Sequence, residues 1–368
     1  MYNNSMIKSA YIHIPFCNRK CNYCTFVSYD TLTLKNIYID SLINEIKDNY
    51  NGEILDTIYF GGGTPSILSI NDFRLILNEL KFKPQSEITV EINPETVDRA
   101  YLEELKTLGV NRLSIGIQAF DNEILKLIGR NHTKETAALV VKFAKDVGFD
   151  NISIDLIYGL PKQDLSKLKE SLEQILNIDV KHVSLYGLKI EEGCSFYNNK
   201  PEFLPENDDQ AEMYIESINF LKDNGFEHYE ISNFAKPGYE SKHNLNYWNN
   251  GYYYGFGVAA SGYEDDIRYT NLCDIEKYLQ NHDKKESIAE INYISQLEEE
   301  IFLGLRKTEG INTKIINEKF DIDFDNKYSK IIEKHTKTEL LKRTPSGYAL
   351  TTEGILLSNN VLSDFIEA

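Results

Sequence analysis

Long hydrophobic runs are missing from this 368-residue chain. No stretch approaches the roughly 20 consecutive apolar residues that a spanning helix needs. The opening MYNNSMIKSA has neither the charged start nor the apolar run of a secretory signal. The expected compartment is therefore the cytoplasm. Tryptophan occurs once and cysteine five times. So few thiols make a poor disulfide framework for a chain this long, and a reducing compartment would keep them free for metal or catalysis. Positive charge is also short: 39 Lys and Arg stand against 57 Asp and Glu, a formal charge of -18. An acidic body repels a nucleic-acid backbone unless its charge is segregated, so nucleic acid is not an expected partner.

What is present suits a large soluble core, since 42% of residues are hydrophobic and 12% aromatic, and the length fits two or three domains. From Lys8 to about Leu188 the runs AYIHIPF, DTIYF, EITVEIN, NRLSIGIQ, NISIDLIY and HVSLYGL alternate with helical patterns such as TKETAALVVKFAKDVG. This βα repeat calls for parallel strands covered by helices. The strands themselves alternate. Leu113, Ile115 and Ile117 oppose Ser114, Gly116 and Gln118, and Ile88, Val90 and Ile92 oppose Thr89, Glu91 and Asn93. Strands sealed on both faces would read as continuous apolar runs. A partly closed barrel with a polar lumen explains the alternation better, and an α/β fold with an incomplete TIM-like (β/α)6 barrel is expected over residues 1–190. A second region over 191–287 combines the helical DDQAEMYIESINFLKDNG with a loop rich in Gly, Asn and Tyr. Residues 288–368 read as an α+β, winged-helix-like region without a basic groove for DNA.

The segment PFCNRKCNYCTF gathers Cys17, Cys21 and Cys24 as C-x3-C-x2-C. Three thiolates are one short of a closed four-ligand site, so a metal held here keeps an open position. Unrelated core thiols and a zinc site are the alternatives. FGGGTPS follows the strand DTIYF. Without Cβ atoms the backbone of Gly61, Gly62 and Gly63 admits a closely approaching ligand, the alternative being a turn that needs positive φ.

CNRKCNYC resembles the cluster loop of the radical S-adenosylmethionine (SAM) superfamily. The resemblance implies a 4Fe-4S cluster on Cys17, Cys21 and Cys24, SAM at the unique iron, and reductive cleavage of SAM to a deoxyadenosyl radical. It implies Tyr11 and Tyr23 on the adenosine side of SAM, and Gly62, Gly63 and Thr64 at its methionine end. Glu91 in VEINPE, Gln118 in GIQAF, Arg130 in GRNH and Asp155 in IDLIYGLP would line the same wall, the carboxylates suiting an ammonium or ribose hydroxyls and Arg130 an anion.

Across nearly the whole chain the sequence is similar to the group of oxygen-independent coproporphyrinogen III oxidases and their haem-chaperone relatives, the HemW family. YIHIPFC, GGGTPS and EINPE are common to both. The oxidase pattern C-x3-C-x2-C-x-C has cysteine where this chain has Phe26, and the oxidases carry a long extension ahead of the position of Tyr11. HNLNYW, from His243 to Trp248, matches the H-N-x-x-Y-W segment of the chaperones. The resemblance therefore implies haem as cargo. It sets His243 as the haem ligand against the alternative of a hydrogen-bonding loop residue, with Tyr247 and Trp248 offering a flat apolar face. It further implies delivery to haem-requiring acceptor proteins such as membrane respiratory enzymes, and peripheral membrane association through such a partner. Because metal binding and folding are coupled, a cysteine loop near the surface also predicts a cluster-dependent homodimer. The alternative activity is decarboxylation of coproporphyrinogen III to protoporphyrinogen IX. His13, His132 and His182 are expected to be structural, and Cys194 and Cys273 free thiols.

Overall fold

The alternating strands do assemble in sequence order. The computed structural model describes residues 7–366; the opening MYNNSM, expected to hold no leader, lies outside them. Strands β1 (Ser9–Ile14), β2 (Leu55–Gly62), β3 (Phe82–Ile92), β4 (Arg112–Gln118), β5 (Asn151–Tyr158) and β6 (His182–Gly187) pair with their neighbours in parallel. Helices including Lys35–Asn49, Lys134–Asp146 and Leu165–Ile178 connect them.

Register turns the sequence alternation into a lined lumen. Glu91 pairs with Ser114, Gly116 with Asp155, and Asp155 with Ser184, so the polar alternates stack side by side across the sheet. The apolar alternates, among them Ile12, Ile58, Val90, Ile115, Ile154 and Leu185, enter one core with the covering helices.

The region after residue 190 does not form a separate layer. Strands β7 (Glu227–Glu230) and β8 (Asn233–Ala235) extend the sheet antiparallel beyond β6, and β9 (Tyr254–Phe256) runs parallel to β1 at the opposite edge. Met213, Leu221, Phe234, Phe256 and Tyr278 join the barrel core. Packing thus draws no boundary at 190: the open edges of a six-stranded sheet carry unpaired backbone groups, and this region covers them. A second core, from Leu297 to Phe365, belongs to the C-terminal region, whose small antiparallel sheet orders Ile311–Asn312, Gly347–Leu350 and Leu341–Arg343. Among the described residues no helix is long and apolar enough to cross a membrane.

Candidate functional site

The loop that leaves β1 is tied at its root and along its length. Cys17 N–H donates to Tyr29 O at 2.9 Å, and Tyr29 N–H to Pro15 O at 2.8 Å. Asn22 anchors the middle, its N–H on Ile128 O at 3.0 Å and its side-chain amide on Leu127 O at 2.9 Å. Beneath lies an apolar cluster of Ile124, Leu125, Ile128, Ile157 and Phe196, which also buries Cys194, while half-buried Tyr23 packs against it. Cys17, Cys21 and Cys24 all open on one cavity of about 530 Å³ at the C-terminal ends of the strands. Burial pushes the Cys17 thiol up, although Thr64 Oγ1 lies 3.3 Å from its sulfur, and burial pushes Cys24 to about 11. Cys17 and Cys24 therefore hold their protons until a cation replaces them.

The glycine segment sits under that loop. Gly63 N–H donates to Ile14 O at 2.9 Å and Thr64 N–H to Phe16 O at 2.8 Å. Gly62 has φ +112, and a Cβ there would lie 2.6 Å from the His13 ring; one on Gly63 would lie 2.7 Å from Phe16 O. The turn reading of FGGGTPS accounts for these glycines, since positive φ and close approach of the β1 exit demand them, and the same backbone lines the cavity with Thr64.

Glu91 and Asp155 face the cavity floor. Glu91 accepts from Tyr59 O–H at 2.9 Å and from Gly62 N–H at 3.1 Å. Burial, with the Asp155 charge added, still lifts its carboxyl to about 7. Burial likewise raises Asp155, opposed by hydroxyls such as Ser114 Oγ at 3.1 Å. The buried Arg112 guanidinium offsets part of both carboxylate charges.

Arg130 is fixed from three sides: it donates to Gly116 O at 2.5 Å, to Asn93 Oδ1 at 3.0 Å and to His132 Nδ1 at 3.4 Å. His132 Nε2 lies 3.2 Å from Ile117 O, so the neutral ring carries its proton on Nε2. Burial, and then Arg130, lowers its pKa to about 3. A guanidinium N–H also lies 3.6 Å from Cys21 Sγ. Gln118 adopts φ 73 at an irregularity where β4 ends, which turns its side chain into the cavity.

Two expectations need correction. Tyr11 does not line the cavity; its hydroxyl is 3.0 Å from His13 Nδ1 and its ring stacks on Tyr59, one level below. His13 in turn reaches Val27 O at 3.0 Å and so braces the cluster loop. His243 is not in a surface loop. It lies on the helix Lys242–Trp248, capped by Ser241, and is 1% exposed. Its Nδ1 is 2.8 Å from Thr57 Oγ1 and its Nε2 2.8 Å from Tyr247 O–H. Because Thr57 donates onward to Ser9, Nδ1 carries the proton and Nε2 accepts from Tyr247. Burial, with Arg112 second, lowers its pKa to about 3. Neither ring nitrogen is free for iron. The ring instead stacks on Tyr59, at 5.1 Å between centroids, and Tyr59 holds Glu91. Backbone N–H groups of Lys242 and His243 donate to the buried Glu87 carboxylate, so this helix plugs the lumen from below.

Ser114 and Asn93, which the strand alternation places on the polar face, line the cavity too, and so do Tyr59, Tyr186 and Lys189, to which the sequence reading gives no place. Strand parity extends to Tyr59 and Tyr186, which share the polar face with Glu91 and Asp155.

The cavity fits the cofactors that the motif implies. Among the described residues no three His, Cys, Asp or Glu side chains converge as a single-ion site. Three sulfurs spread around one cavity suit a polynuclear cluster whose irons are each held by a different thiolate. Comparisons with known proteins agree. The radical SAM superfamily matches residues 11–175, and the HemN C-terminal domain matches 293–357. The haem chaperone HemW of Lactococcus lactis subsp. lactis is 41% identical, covering 97% of this chain and 97% of that protein. HemW of Bacillus subtilis is 37% identical over 98% of this chain and 99% of that protein. The solved coproporphyrinogen III oxidase HemN from Escherichia coli superimposes with a TM-score of 0.88 over 99% of this chain and 91% of that one, at 23% identity, which shows a common fold. With a radical SAM barrel, a HemN-type C-terminal region and full-length likeness to the chaperones, the chain belongs to the HemW haem-chaperone family of radical SAM proteins.

Proposed function

We propose that this protein is a haem chaperone that carries a 4Fe-4S cluster and SAM in its barrel, binds haem as cargo and hands it to haem-requiring acceptor proteins. The observation that carries the reading is the cavity lined, among the described residues, by three cysteines and no fourth, with Phe26 at the position where a fourth would stand.

Cys17, Cys21 and Cys24 would hold the cluster. The backbone of Gly62, Gly63 and Thr64 would face the methionine end of SAM, with Glu91 taking its ammonium. Asp155 and Gln118 would line the ribose, Arg130 would hold the carboxylate, and Tyr23 would cover the adenosine. When bound, the reduced cluster would supply one electron to the SAM sulfonium. The chain's own part is geometric and electrostatic: Tyr59 and Gly62 N–H orient Glu91, while Asn93, Gly116 O and His132 orient Arg130.

The acceptors are haem-requiring proteins such as membrane respiratory enzymes, which would bring this chain to a membrane through a protein contact. Metal binding and local folding are coupled, so loading the cluster would stiffen the partly exposed segment around Cys21 and Cys24. A homodimer that forms on loading follows, and cluster-loaded protein should sediment faster than apoprotein. Equal sedimentation would remove the dimer from the account.

The test is anaerobic. Cluster-reconstituted protein is expected to bind haem and transfer it to an apo-acceptor. Conversion of coproporphyrinogen III to protoporphyrinogen IX by the same preparation would replace this reading with the oxidase one.

A further inference from the structure

The mouth of the cluster cavity has a character that neither the cluster nor SAM uses. Phe26 lines it and is 65% exposed, a large apolar ring left in water. Tyr186, 43% exposed to the same cavity from the end of β6, stands further in, its hydroxyl near Ser184, Asp155 and Glu91. Around them stand Arg19 and Lys20 from the cluster loop and Lys189 from the chain just past β6, all lining the same cavity. Among the described residues none of these three cations has an ion-pair partner. Glu191 is the carboxylate on the same rim. Glu91, Asp155 and Arg130 lie inside the cavity, so the exposed rim alone carries three cations without ion-pair partners against one carboxylate, a positive spot on a body whose formal charge is -18. Such a spot draws a small anion, and exposed aromatic rings draw a flat apolar surface.

A haem is flat and apolar across its face and carries two carboxylates along one edge. Resting on the haem-chaperone reading above, we propose that the cavity mouth is the haem dock. Phe26 packs on the macrocycle, Tyr186 lies along its inner edge, and Arg19, Lys20 and Lys189 take the propionates. This replaces the buried His243 as the place where haem meets the chain. It also gives Phe26 a role, since an apolar contact stands where a fourth thiol would bring a further metal ligand to the rim.

The probes are hemin and hemin dimethyl ester, titrated by absorbance into cluster-loaded protein. A charged hydrogen bond of about 1.5–3 kcal/mol corresponds to at least about tenfold in affinity. Wild type is expected to bind hemin more tightly than the diester by that factor. Arg19→Glu with Lys20→Glu should weaken hemin about tenfold or more and abolish the preference over the diester. Lys189→Glu lies off the cluster loop and should do the same in smaller measure with iron and sulfide content unchanged, so loss of the cluster cannot account for it. Phe26→Ala should weaken hemin and diester alike. Unchanged hemin affinity in Lys189→Glu and Phe26→Ala, with wild type binding tightly, would overturn the dock and leave the chaperone reading standing. Failure of wild type to bind hemin at all would overturn both.

Discussion

Glu91 concentrates the electrostatics of the site in one carboxyl. Burial and Asp155 place its pKa at about 7, so near neutrality it is poised between acid and anion. If the SAM ammonium sits beside it, binding favours the anion, and below pH 7 a proton must leave first. SAM affinity should therefore rise about fivefold between pH 6 and pH 7 and fall again above about pH 8, where the α-amino group of SAM loses its proton. Glu91→Gln should flatten that rise. Equilibrium dialysis of SAM across this range decides the matter, and parallel profiles in the two proteins would remove Glu91 from the binding site. At this scale the sequence was informative where chemistry and spacing coincide: three cysteines in eight residues, or a glycine triplet after a strand. It was silent on Tyr59, which holds Glu91, and it put Asn93 on the polar face without the role that comes from holding Arg130.

The helix Lys242–Trp248 shows how an element can mark a family without forming the site for the cargo. Seven residues give little periodic signal, and HNLNYW lies in a stretch rich in Gly, Asn and Tyr, which reads as loop. Only the fold reveals that Glu87 receives the helix N-terminus and that His243 stacks on Tyr59 inside the barrel. His243→Ala should cost about 1–3 kcal/mol by orphaning Thr57 and Tyr247. It should also weaken SAM binding through Tyr59 and Glu91, while the iron-ligand bands of bound haem stay as in wild type. Loss of those bands in a folded variant would restore His243 as the ligand. The six long strands, in contrast, were legible from their alternation because the lumen takes every second side chain. Strands β7, β8 and β9, of three or four residues each, are too short for any alternation to show.

Across the whole molecule the barrel and the C-terminal region meet along β7. Ile231 N–H donates to Arg306 O at 3.0 Å, Thr308 N–H to Tyr229 O at 3.2 Å, and Thr308 O–H to His228 O at 2.6 Å. Glu230, fully buried at this seam, accepts from Ser232 N–H at 3.2 Å and from the Asn233 amide, yet burial lifts its pKa to about 7, with Arg306 opposing. The folded state thus binds this proton more tightly than the unfolded chain, whose carboxyl titrates near 4.5. Stability from this group is full below about pH 4.5 and is lost as pH rises through 7. At 1.36 kcal/mol per pH unit the loss is about 3 kcal/mol. Urea unfolding of wild type and Glu230→Gln from pH 4.5 to 8 should show the difference between them shifting by that order in favour of the variant as pH rises. A constant difference would contradict the assignment.

The central claim is that this barrel serves a chaperone whose cargo is haem. The measurement that reaches it most directly is anaerobic haem transfer, under conditions where turnover of coproporphyrinogen III is followed in the same preparation. Protein with iron and sulfide content matching a full cluster is loaded with haem, mixed with an apo-acceptor such as a haem-depleted respiratory enzyme, and supplied with SAM and a low-potential reductant. The account predicts that acceptor activity returns and no protoporphyrinogen IX forms. Product formation without transfer would contradict it and make the protein an oxidase with Phe26 in place of the fourth cysteine.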